Sequence, residues 1–155
     1  MLQYTFPVDA ALKALKFNRK LYYAPAFAQV LCAARELLPV GIDGVLPVPL
    51  HWRRKTLRGF NQANELARPV ARMLNVPLVG SVYRKHATPF QSGLGAAERA
   101  RNLRHAFFVR RPLSHEHILI IDDVVTTGAT TQQLAKTLIS NGVRKVSVLV
   151  VAGAG

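Results

Sequence analysis

Residues 118–130, ILIIDDVVTTGAT, put two adjacent acids after four apolar residues and follow them with a Thr- and Gly-rich run. Four apolar residues without alternation suit a strand buried on both faces of a parallel sheet. Asp122 and Asp123 then fall at its carboxyl end, where open α/β sheets bind ligands. The next residues form a turn entering a helix, whose first N–H groups are unpaired and carry partial positive charge. Thr126, Thr127 and Thr130 add hydroxyls, Gly128 lets the backbone close around an anion, and Ala129 lies between them; together they read as a phosphate cradle. Carboxylates next to it would repel a phosphate, but they accept hydrogen bonds from vicinal hydroxyls and favour a hard cation such as Mg²⁺. Hydroxyls one sugar width from a phosphate describe a ribose 5-phosphate. The purely structural alternative makes the acids caps and the threonines turn residues. It leaves two adjacent carboxylates with no basic partner nearby in sequence, which is costly.

The elements that must position this run alternate along the chain. Helices are predicted over residues 9–17, 20–38, 61–74 and 130–140, and a short basic one over 96–103. Strands are predicted over 44–49, 77–83, 107–109, 118–121 and 145–152. Asn61 is a fitting N-cap, with Glu65 in the first turn that follows. Asn141 and Gly142 stop the 130–140 helix, Gly142 supplying a left-handed position. The pattern argues an α/β fold with a central, mainly parallel sheet flanked by helices. The 155 residues suit a single domain, with 1–40 as a helical N-terminal part. Residues 84–102, rich in Pro, Ser, Thr and Gly, are expected to form a flexible flap. The 47–52 turn is expected to carry unusual backbone geometry such as a cis peptide, because a diphosphate loop must aim several N–H groups one way.

Half of the residues are apolar, enough for a core without disulfides or metal. The net charge of +13 is concentrated: residues 51–111 hold thirteen Lys and Arg against Glu65 and Glu98. Such a block attracts diphosphates, nucleotides or nucleic acid, unless it is only a solvated surface. Trp52 and Phe60 interleave with Arg53, Arg54, Lys55 and Arg58, a pattern suited to stacking and phosphate contact with single-stranded DNA. Trp52 reads equally well as a packing residue. The one cysteine, Cys32, lies in an apolar helical context and reads as a buried structural thiol. With no signal peptide and no run of membrane-spanning length, a cytoplasmic setting is expected. The glycines at 93–98 lack the last glycine of a dinucleotide loop, no P-loop occurs, and the five histidines show no ligand spacing. A receiver domain also has an acidic pair after a strand, but near its start.

Residues 118–130 resemble the phosphoribosyl-diphosphate motif of type I phosphoribosyltransferases. Residues 45–67 and 89–107 narrow the likeness to the ComF/GntX family of phosphoribosyltransferase-like proteins, linked to DNA uptake in natural competence. The RGFNQ signature stands at Arg58, Gly59, Phe60, Asn61 and Gln62, and a second pattern stands at Gln91, Leu94, Arg99 and Asn102. Family members often begin with a cysteine-rich, zinc-binding module that this chain lacks, so a shorter variant or a cut-down version is expected. The resemblance implies that Asp122 and Asp123 bind the ribose hydroxyls and Mg²⁺, and that Thr126, Thr127, Gly128, Ala129 and Thr130 hold the 5-phosphate. Pro49, Leu50 and His51 fall at the diphosphate loop, Arg53 and Arg58 supply charge to it, and Arg84, Lys85 or Arg99 could close on the leaving group. It implies a pentosyl-transferring glycosyltransferase that uses phosphoribosyl diphosphate and a nitrogen acceptor, with single-stranded DNA and other competence proteins as partners. The alternatives are a non-catalytic single-stranded DNA-binding protein that keeps the fold, and a domain that takes the diphosphate sugar as a regulatory ligand.

Overall fold

The computed structural model describes residues 2–17, 20–50, 59–85 and 106–153. In chain order the elements are β1 (Leu2–Gln3), α1 (Val8–Phe17), α2 (Tyr23–Ala33), a 3₁₀ turn (Arg35–Leu37), β2 (Gly44–Pro47), α3 (Gln62–Leu74), β3 (Val82–Arg84), β4 (Phe107–Val109), β5 (His117–Val125), α4 (Ala129–Ile139) and β6 (Lys145–Gly153). The main sheet has the order β1-β6-β5-β2 and is parallel throughout. β3 and β4 form a separate antiparallel ribbon.

The apolar run of β5 is buried on both faces. Ile118, Leu119, Ile120 and Ile121 are all fully buried. Strand alternation sorts them. Leu119 and Ile121 pack with Leu12 and Leu15 of α1, Leu31 of α2, and Leu66 and Val70 of α3. Ile118 and Ile120 pack with Leu134 and Leu138 of α4 and with Val82 and Phe107 of the ribbon. Burying each such side chain stabilises the fold by about 1.5–3 kcal/mol, so this strand anchors both layers. At its start, Asp43 accepts hydrogen bonds from the backbone N–H groups of Glu116 (2.7 Å) and His117 (3.0 Å). That latch ties the entry to β2 to the entry to β5.

Several expected boundaries shift. β5 does not stop at Ile121; its ladder with β6 runs through Asp122 to Val125, so the acids lie within the strand. The expected strand over 77–83 divides, because Leu78 only bridges β2 at Val45 and the chain then joins a different sheet through β3. The expected 20–38 helix is shorter and ends in the 3₁₀ turn. Two-residue β1 was not legible in the sequence. Asn61 does cap α3, accepting from the Ala63 N–H at 3.2 Å, and Gly142 does take a positive φ of 96° just past α4. Cys32 sits in α2, half-buried against the core, and burial pushes its thiol pKa up. Within the 47–50 part of the expected diphosphate turn no peptide is cis; among the described residues the cis peptide is Phe6–Pro7. The predicted 96–103 helix and most of the 84–102 flap lie outside the described residues. No helix among the described residues is long and apolar enough to cross a membrane.

Candidate sugar-phosphate site

The two acids at the end of β5 face different elements. Asp123 is buried, and its Oδ2 lies 3.0 Å from the Nζ of Lys16 in α1. Its Oδ1 accepts the Val124 N–H at 2.8 Å. Asp123 is therefore a paired charge, and its basic partner is remote in sequence. Asp122 points the other way, towards α4, as strand alternation requires. It lines both a cavity of about 480 Å³ and a smaller one of about 50 Å³ around the α4 N-terminus. Its Oδ1 accepts the Asp123 N–H at 2.9 Å. Burial, and then the neighbouring Asp123 charge, push the Asp122 carboxyl pKa up to about 7. A carboxyl raised in this way gains from any cation or hydroxyl donor that enters the cavity.

The turn after β5 enters α4 through a left-handed glycine. Gly128 takes φ 72°, a conformation open to glycine, and its carbonyl accepts from the Gln132 N–H (2.9 Å) and the Thr131 hydroxyl (2.9 Å). These bonds start α4 and leave its first N–H groups aimed into the turn. Among the described residues, no backbone carbonyl accepts from the N–H groups of Thr126, Thr127, Thr130 or Thr131. Only the Ala129 N–H has a nearby acceptor there, the Thr127 hydroxyl at 3.4 Å. The small cavity is lined by Asp122 and residues 124–131.

The larger cavity draws on seven elements or their flanks. Tyr4 and Lys16 come from the N-terminal part, Val48 and Leu50 from the loop after β2, Asn61 and Gln62 from the start of α3, Arg84 from β3, and Asp122, Thr126 and Thr130 from the β5–α4 turn. Asn61 donates to the Val48 carbonyl at 3.1 Å, and Gln62 donates to the Lys16 carbonyl at 3.4 Å. These two bonds fasten the α3 N-terminus to the opposing walls. Of the candidate residues, Asp122, Asp123, Arg84, Leu50, Thr126 and Thr130 meet at this cavity, while Thr127, Gly128 and Ala129 line the small one. Pro49 lines an adjoining cavity of about 660 Å³, which Leu50 and Arg84 share. His51, Arg53, Arg58 and Arg99 lie outside the described residues. Lys16, Tyr4 and Gln62 were missed as site residues. For Lys16 the amphipathic pattern of α1 signals a helix but not the strand end it meets. Gln62 stood within the quoted RGFNQ signature.

The donor set fits Mg²⁺ only in part-protein coordination. No cluster of three or more His, Cys, Asp or Glu occurs among the described residues. Asp122 and Asp123 both line the larger cavity, and Asp123 is already paired with Lys16. One or two carboxylates, completed by phosphate oxygens and water, is the usual Mg²⁺ arrangement.

No protein-family model matches the chain. A DNA utilization protein YhgH from Salmonella typhi is 40% identical over 152 residues, covering 94% of this chain and 66% of that protein. Competence protein F from Haemophilus influenzae is 30% identical over 158 residues, covering 94% and 67%. Competence protein ComFC from Bacillus subtilis is 36% identical over 100 residues, covering 63% and 39%. The chain thus spans about 66% of the length of the first relatives it matches. Among solved structures, glutamine phosphoribosylpyrophosphate amidotransferase from B. subtilis superposes with a TM-score of 0.56 at 16% identity, over 83% of this chain and 26% of that one. Adenine phosphoribosyltransferase from Trypanosoma brucei, in complex with AMP, pyrophosphate and ribose-5-phosphate, gives 0.56 at 16% identity, over 90% and 56%. These likenesses establish the fold, a type I phosphoribosyltransferase-like parallel sheet flanked by helices.

Proposed function

The chain belongs to the ComF/GntX family of phosphoribosyltransferase-like proteins, and from that premise we propose that its main cavity binds phosphoribosyl diphosphate with Mg²⁺ and transfers the phosphoribosyl group to a nitrogen acceptor. The observation that carries this reading is the opening of the Asp122 carboxyl into one cavity that also reaches Thr126 and Thr130 at the α4 N-terminus. The 5-phosphate sits on the N–H groups and hydroxyls of residues 126–130. Asp122 takes the ribose hydroxyls, while Asp123, fixed by Lys16, holds the strand end in register. Pro49 and Leu50 border the diphosphate, with His51, Arg53 and Arg58 following in the same loop, and Arg84 and Arg99 supply positive charge to the leaving group. Mg²⁺, when bound, supplies further charge to the diphosphate oxygens. Breaking the bond from C1 to diphosphate places positive charge on the ribose and negative charge on the departing oxygen. No side chain need act as a nucleophile; positioning and charge are enough.

The relatives' names, DNA utilization protein and competence protein, support a link to DNA uptake, and the setting proposed with it is the cytoplasm. The test is calorimetry with phosphoribosyl diphosphate, with and without Mg²⁺, and with ribose 5-phosphate as the truncated ligand. Saturable binding strengthened by Mg²⁺, and weaker binding of ribose 5-phosphate, is expected. No heat with either ligand would overturn the reading.

A further inference from the structure

We propose that the outward face of the β3–β4 ribbon is a stacking platform for single-stranded DNA, outside the cavity that Asp122 lines and meeting the adjoining one of about 660 Å³ at Tyr83. The ribbon is two-faced. Val82 and Phe107 turn inward and are buried in the core. Tyr83 and Phe108, directly opposite each other in the ladder, turn outward. Their rings stack with centroids 5.7 Å apart and planes 27° from parallel, yet Tyr83 remains 42% exposed and Phe108 40%. Two large rings laid side by side in water are an open apolar surface with π faces available.

Cations flank the rings at both ends of the ribbon. The ladder continues through the Lys85 N–H donating to the Ala106 carbonyl (2.8 Å) and the Arg110 N–H donating to the Ser81 carbonyl (2.9 Å). By strand alternation Lys85 and Arg110 stand on the same face as the rings, each about 6.6 Å along from one of them. Lys85, Arg110 and Arg111 are all exposed. Arg110, Arg111, Tyr83, Gly80 and Ser81 surround a shallow cavity of about 270 Å³. No acid lines it.

This arrangement selects its partner by chemistry. Bases stack on aromatic rings, and the backbone follows the cations. Duplex DNA hides its base faces, so the platform favours a single strand. Acidic protein segments would satisfy the cations but leave the rings wet.

The test uses a fluorescein-labelled twenty-nucleotide oligo-dT and anisotropy at several salt concentrations. The double variant Tyr83→Leu/Phe108→Leu keeps the apolar bulk of the cross-strand pair and removes the π faces. It should lose at least about tenfold in oligonucleotide affinity, with its melting temperature and its ribose 5-phosphate titration like those of the parent. Replacing Lys85, Arg110 and Arg111 together with Ala should flatten the slope of log affinity against log salt by up to about 2. Parent-like affinity of the Leu variant, or parent binding to duplex as tight as to the single strand, would overturn the platform. Lower melting temperature with unchanged oligonucleotide affinity would also overturn it, assigning the ring pair to ribbon stability alone.

Discussion

Lys16 and Asp123 meet at 3.0 Å, one from the first helix and the other from the end of the central strand. Both are largely shielded from water, with 22% and 9% of their side-chain surfaces accessible. The pair divides the two acids: Asp123 is held by Lys16, and Asp122 alone of the two also lines the small cavity at the α4 N-terminus.

The first expected outcome concerns that pair. Lys16→Met strands a buried carboxylate and should lower stability by about 3 kcal/mol in urea unfolding. Lys16→Met combined with Asp123→Asn should recover much of the loss, because no charge is then left unpaired. If the single and double variants unfold alike, the ion pair contributes nothing.

Asp122→Asn should separate binding from stability. The amide keeps size and one acceptor but loses the charge that strengthens hydroxyl and Mg²⁺ contacts, worth roughly 1.5–3 kcal/mol per charged hydrogen bond. Affinity for phosphoribosyl diphosphate should fall by about tenfold to a hundredfold, read by calorimetry. The sign of the pH effect follows from the raised carboxyl. Its pKa stands at about 7 in the folded chain against an ordinary 3.8. Between those values the folded state binds more protons, so stability should fall as pH rises from about 4 to 7. Asp122→Asn should flatten that fall in melting temperature across the same window.

Gly128→Ala tests the cradle. An added Cβ meets nothing closer than 3.8 Å, so there is room for it, but φ 72° is unfavourable for an L side chain. A loss of about 1–2 kcal/mol is expected from backbone conformation, together with weaker binding of ribose 5-phosphate. Unchanged phosphate affinity would remove this turn from the site.

Asp43 predicts an acid limit. Burial raises its carboxyl, but the Glu116 and His117 N–H groups and the nearby His115 outweigh it and hold the pKa below the usual value. This stabilisation is present above the ordinary carboxylate range and is lost as pH falls through the folded pKa. Asp43→Asn should lower the neutral-pH melting temperature and make stability less sensitive to acid below about pH 4.

What the sequence determined by itself is local. The unbroken apolar run of β5 dictated a strand buried on both faces, Asn61 dictated a helix start, and Gly142 marked a position of positive φ. Each signal depends on residues a few positions apart, so it survives without knowledge of the fold. The Thr- and Gly-rich turn could be read as an anion site for the same reason. Tertiary structure decided which of two chemically identical neighbours is paired with a cation and which reaches the α4 N-terminus. Strand alternation turned Asp123 to α1 and Asp122 to α4, and only the docking of α1 across the sheet supplied Lys16. The register of β3 on β4 likewise set Tyr83 beside Phe108, residues that nothing in the linear order associates. Such pairings are set by how elements pack, and packing is fixed by the burial of the whole core rather than by any one segment's pattern.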